Sequence, residues 1–124
     1  MMTAVNAEQL VRDWLSADSG LVGWRVSLSV PSERPERFIT VERLGGASDR
    51  FLDRPLIAVQ VWASSRWEAC DAAVRLVRPR LLDIIQRQEV GSVSIESIVD
   101  FQEPTPPYQA RYQVTMQIVM AAES

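Results

Sequence analysis

The sequence predicts an α+β fold, a single domain over residues 1–124, and three observations carry that prediction. Residues 108–120 alternate apolar and polar, the period-two pattern of a strand with one buried face. Residues 65–85 repeat apolar side chains at three- and four-residue spacing, the pattern of a helix lying on a sheet. The segments follow one another as α-β-β-β-α-β-β, which implies a mostly antiparallel sheet with two helices packed on one face.

Taken in order, residues 6–18 read as a helix whose stripe is Ala7, Leu10, Val11, Trp14 and Leu15. Asn6 caps it, with Gln9 placed to bond back, and Gly20 and Gly23 follow its end. Residues 24–30 alternate, with Trp24, Val26, Leu28 and Val30 on the buried side. The polar turn 31–37 leads to a strand over 38–44 and a long connection over 45–55. Residues 56–63 are apolar on both faces except at Gln60, which places that strand centrally. Ser65 and Glu68 form a capping box opening the second helix, whose stripe is Cys70, Ala73, Val74, Val77, Leu81, Ile84 and Ile85. Pro79 should kink or split it near Arg78. Residues 92–102 form a strand with Val93, Ile95, Val99 and Phe101 on one face. In the last strand Ala110, Tyr112, Val114, Met116, Ile118 and Met120 share the core face. Gln109, Arg111, Gln113, Thr115 and Gln117 share the other, a wet or partner-facing polar surface.

Composition narrows the chemistry. With 124 residues, 47 % hydrophobic and 23 % charged, the chain is long enough for one core without a staple. A net charge of -3 gives no basic field for nucleic acid. No apolar run approaches the ~20 residues of a membrane span, and MMTAVNAEQL lacks the layout of a secretion signal. There is no histidine, which removes the commonest general base and most transition-metal sites. All 13 basic residues are arginine, so phosphate-loop lysines and Schiff-base chemistry are absent. No cofactor, metal or catalytic set is expected.

The remaining candidates are weighed individually. Cys70 lies on the helix stripe without an activating partner and reads as a small apolar side chain. The pairs Glu33/Glu36 and Asp49/Asp53 sit among arginines and read as solvated ion partners. Gly45–Gly46 reads as a turn. Trp24 and Trp62 read as core, whereas Trp67 is off the stripe and suits an interface anchor. The connection 45–55 is long and carries Phe51 and Leu52 at its tip among Asp49, Arg50, Asp53 and Arg54. A plain solvent loop rarely needs those apolar residues, and an arm packing on a neighbouring subunit does, with charges setting register.

From Gly23 to Val77 the chain resembles the tail terminator, or tail-completion, family of long-tailed bacteriophages. The residues are GWRVSLSVP, then FITVERLGGASDRFLDRPLIAVQVWASSRWEACDAAVRLV. A strand ending in Arg43 and Gly45–Gly46 leads to an aspartate-containing loop, a strand ending VQVWA, and an alanine-rich helix. RYQVTMQIVM resembles the family's closing strand. The resemblance implies a virion protein made in the host bacterial cytoplasm and working at the tail–neck junction. A homohexameric ring would cap the tail tube protein, stop polymerisation, and meet the head-side connector or neck protein. Genomic DNA would pass through the lumen without specific binding, which a neutral or acidic wall allows. Subunits would join through heterologous contacts, using exposed sheet edges such as the strand 108–120.

Two other readings stand beside it. One is a neck or head-closure adaptor of similar size. The other is a small-ligand binding or enzymatic α+β domain using Tyr112 or the loop carboxylates, which requires a deep pocket with perturbed carboxylates.

Overall fold

The computed structural model describes residues 6–122. Its order is α1 (Ala7–Ser16), β1 (Arg25–Ser27), β2 (Phe38–Gly45), β3 (Leu52–Asp53), β4 (Leu56–Ala63), α2 (Arg66–Asp71), α3 (Arg78–Leu82), β5 (Val90–Asp100) and β6 (Ala110–Ala121). This is an α+β fold with a mixed six-stranded sheet. Asn6 Oδ1 caps α1 by accepting from the Glu8 and Gln9 amides, and Ser65 Oγ caps α2 by accepting from Glu68 N. Gln9 and Glu68 make no return bond among the described residues, so each cap is one-sided.

β6 lies inside the sheet. Along one edge it pairs β4 and then β3, and along the other it pairs β5, all antiparallel. The expectation that the strand 108–120 offers an exposed edge is therefore wrong: the sheet ends on β1, on β5 and on the two-residue β3. β4 is central, between β2 and β6, as its two apolar faces require. β1 is shorter than the segment 24–30 and runs parallel to β2. The chain reverses through residues 28–37, crossing the sheet face opposite the helices, and Val30 is exposed.

The core lies between the helices and one sheet face. Val11 and Leu15 of α1 meet Ile39, Val41, Ile57, Val59, Val61, Val114, Met116 and Ile118, all fully buried. The alternation of β6 holds along its length, with Tyr112, Val114, Met116, Ile118 and Met120 buried.

Two expected stripes are re-phased. Residues Ala72–Val77 form a π-helical stretch between α2 and α3, and Asp83–Gln86 a 3-10 turn. Their wider and tighter turns rotate the apolar face, so Ala69, Ala72, Ala73, Val77, Leu81 and Ile84 are buried. Val74 and Ile85, expected inside, are exposed. Pro79 falls in the first turn of α3, directly after the π-helical stretch, so the helical segment changes its winding near Arg78, where the proline was expected to kink or split it. In β5 the register slips between Ile95 and Ser97. The extra residue reverses the alternation, so Ile98 packs on the core while Val99 and Phe101, expected inward, face out.

Candidate functional site

The connection 45–55 is an ordered arm rather than an open loop. Gly46 sits at φ +109°, and a Cβ there would lie 2.0 Å from Arg54 O, so the close return of the chain requires glycine. β3 pairs with the end of β6, adding a strand the alternation did not announce. Arg43 grips Asp53 with two bonds of 2.9 Å and donates from Nε to Gly45 O at 2.8 Å. The Arg43 amide donates to Glu8 Oε2 at 2.7 Å, tying the arm's root to α1. Asp49 Oδ1 accepts from the amides of Phe51 and Leu52, both at 2.8 Å, and its other oxygen lies 3.7 Å from Arg54.

Arg43, Asp49 and Asp53 thus serve the arm itself. Their bonds also fix their ionisation. The Arg43 guanidinium holds the Asp53 carboxyl below its ordinary value, and the Leu52 and Phe51 amides do the same for Asp49. What the arm presents outward is Arg50, Phe51 (74 % exposed) and Leu52. A backbone bond from Ala122 N to Phe51 O clamps the tip to the chain after β6.

The opposite end of β6 carries a second exposed aromatic set. Ser64, Ser65, Arg66, Asp100, Gln102 and Tyr108 border a cavity of about 150 Å³. Tyr108 is exposed and adopts φ +54°, a left-handed conformation that costs a bulky L-residue of order 1–3 kcal/mol. Phe101 is exposed nearby in the chain, and Trp67, off the helix stripe as expected, is 75 % exposed. Phe101 was expected inward and the β5 slip turns it outward, whereas Asp100 and Tyr108, at the start and in the course of the connection to β6, were not singled out as site residues. The signal was the proline pair Pro106–Pro107, which marks a rigid turn ahead of Tyr108.

The sheet face opposite the helices is only partly the wet surface expected. Phe38 and Trp62 are buried there and stack at 5.1 Å between centroids. Arg34 and Arg111 roof Trp62 at 5.1 and 4.6 Å, and Arg111 also lies 4.3 Å from the Phe101 ring. Glu103 holds Arg34 at 2.8 Å, and Gln109 donates to the Pro35 and Glu36 carbonyls. Burial pushes the Arg111 guanidinium down from its ordinary value; Glu103 opposes this and Arg34 adds to it.

Beyond the roof, a chain of bonds crosses three strands. Trp62 Nε1 donates to Thr40 Oγ1 (3.3 Å), Thr40 to Gln60 Oε1 (3.4 Å), Gln60 to Gln113 Oε1 (3.0 Å), and Gln113 to Thr115 Oγ1 (3.1 Å). Donors all point one way, an arrangement in which each bond polarises the next. Gln109, Arg111, Gln113, Thr115 and Gln117 are each half-buried.

Tyr112 offers no base. Its phenol, on the core face, accepts from Arg66 at 2.9 Å. Its contact with Cys70 and its burial push it above its ordinary value, while Arg66 opposes. The phenol stays protonated at neutral pH. Cys70 is half-buried and free.

Among the described residues no helix is long and apolar enough to cross a membrane. Set against known proteins, the chain matches no family model and no curated sequence.

Proposed function

We propose that this chain is a structural virion protein, a tail terminator. Copies close into a ring of six that caps the tail tube, stops its polymerisation and joins the tail to the head-side connector. It acts at the tail–neck junction after synthesis in the host bacterial cytoplasm, and genomic DNA passes its lumen without specific binding. The observation that carries this reading is the placement of exposed aromatic groups at opposite ends of β6. Phe51 stands on a braced arm at one end, and Phe101 and Tyr108 stand at the other. Two unlike surfaces on opposite ends suit a heterologous contact, the kind that generates rings. The resemblance over 23–77 supplies the tail, the tube and the connector as its setting.

Functional groups that elsewhere suggest catalysis have structural partners here. Asp49 and Asp53 are ionised and pinned within the arm, and Tyr112 is held by Arg66. The test is to add the purified protein to polymerising tail-tube protein and to measure tube length. Tubes that stop growing, each with a ring at one end, support the proposal. Unchanged tube growth overturns it, and binding to the head-side connector alone would identify a neck adaptor.

A further inference from the structure

Phe38 and Trp62 stack outside the aliphatic core, on the face without helices, yet they are 0 and 1 % exposed. Two loops hide them: residues 29–37 and the connection 101–109, which meet above the rings. The first segment brings no apolar anchor, since none of residues 29–37 is buried and only Pro31 and Pro35 are half-buried. Among the described residues none of its backbone N–H groups bonds to another backbone group. A short set of polar contacts holds it. Arg34 donates to Glu103 Oε2 at 2.8 Å while lying over the Trp62 ring, and Gln109 donates to the Pro35 and Glu36 carbonyls. Its ends are fixed separately: the Ser27 hydroxyl donates to Ser29 O at 2.7 Å, and Arg37 lies over the Trp24 ring. A segment with fixed ends, no buried side chain and no backbone ladder belongs to the least stable part of a fold, able to open while the core stays closed.

We infer that residues 29–37 form a strap that opens as a unit over the Phe38–Trp62 pair, with the Glu103–Arg34 ion pair as its latch. Glu103 is the latch because it joins the two loops through charge. The Arg34 and Glu103 side chains keep only 28 and 14 % exposure, so water screens the pair only in part. The Gln109 bonds are uncharged and longer, at 3.4 and 3.1 Å, and each holds less. Arg111 stays behind when the strap moves: it belongs to β6, donates to Phe101 O and keeps its own place 4.6 Å over Trp62. The open state is a minor population whose size the latch sets. It bares the Phe38 and Trp62 rings beside the exposed Phe101, and so changes what that end of the open face presents from polar to aromatic. The device belongs to the single chain and stands whether or not copies form a ring.

The test is hydrogen exchange of the Trp62 indole, whose N–H bonds Thr40 Oγ1 beneath the strap. It is read by NMR in the full chain against the backbone amides of Val59 and Val61 in the same strand. In the wild type the indole should be less protected than those amides, because the strap opens more often than the sheet. Glu103→Gln should lower the indole's protection about tenfold, the scale of losing a charged hydrogen bond, and leave the amides unchanged. Glu36→Gln, on the exposed strap but in no ion pair among the described residues, should change neither, which separates the latch from net charge. An indole as protected as the amides in wild type and Glu103→Gln alike would mean that Trp62 is reached only by unfolding of the domain, and overturns the strap. Glu103→Gln with the indole's protection unchanged overturns the latch. A fall in indole and amides together assigns Glu103 to the stability of the whole domain and overturns it as well.

Discussion

The two faces of the sheet are buried by different physics. The helix-covered face is aliphatic: Val59, Val61, Val114, Met116 and Ile118 pack on α1 and the second helical segment, with no directional requirement beyond shape. The opposite face hides two large aromatics, Phe38 and Trp62, beneath arginines and a loop. Area drives the first. The second depends on orientation, because guanidinium planes and amides must keep their bearings. The difference shows how a sheet can leave one face uncovered by helices and still exclude water from part of it. Phe51 and Tyr108 stand exposed at opposite ends of the sheet, outside both buried faces.

The sharpest way to break this comparison is Met116→Asp. A charge placed on the aliphatic face should cost on the order of 4 kcal/mol or more. We expect no cooperative unfolding transition in denaturant, and a well-folded variant would invert the two faces. Trp62→Ala should cost about 3–5 kcal/mol, the usual loss for a buried aromatic. It should also speed amide exchange in residues 31–37, since Arg34 loses the ring it covers. If exchange there stays slow, the roof does not depend on the stack. Gln113→Ala removes the last two bonds of the chain and should cost about 1 kcal/mol, measured as a shift in denaturant midpoint.

The smallest effect is on pH. Asp49 and Asp53 have folded values below their unfolded one, so their contribution is fully present above about pH 3.9. It is lost as pH falls through the lower folded values. Proteolysis near Phe51 should therefore accelerate in acid before the aliphatic face loosens, as read by the buried Val and Ile methyl signals in NMR. Simultaneous loss would mean that the arm and the core open together.

The helix-covered face was far more legible in the sequence than the open one. Leu10, Val11 and Leu15 kept their spacing, and β6 kept its alternation, because neither element contains an inserted residue. The π stretch at Ala72–Val77 and the slip at Ile95–Ser97 each insert one, and neither has a periodic signature. Val74, Ile85, Val99 and Phe101 were misplaced for that reason. The site was legible in outline. Phe51 and Trp67 are exposed as their off-pattern positions imply. Arg43 and Asp53 look like interface charges in a list of residues, but they bond to each other across ten positions. Pairings between distant segments, such as Arg34 over Trp62, leave no mark on local spacing.

The central claim is that unlike ends of the molecule join copies of this chain. It is tested most directly by the solution mass of the wild-type protein over a wide concentration range. The account predicts a mass rising from 14.0 kDa to a closed limit near six times that value and no further growth. A 14.0 kDa species at every concentration, or open-ended growth with no limit, would contradict it.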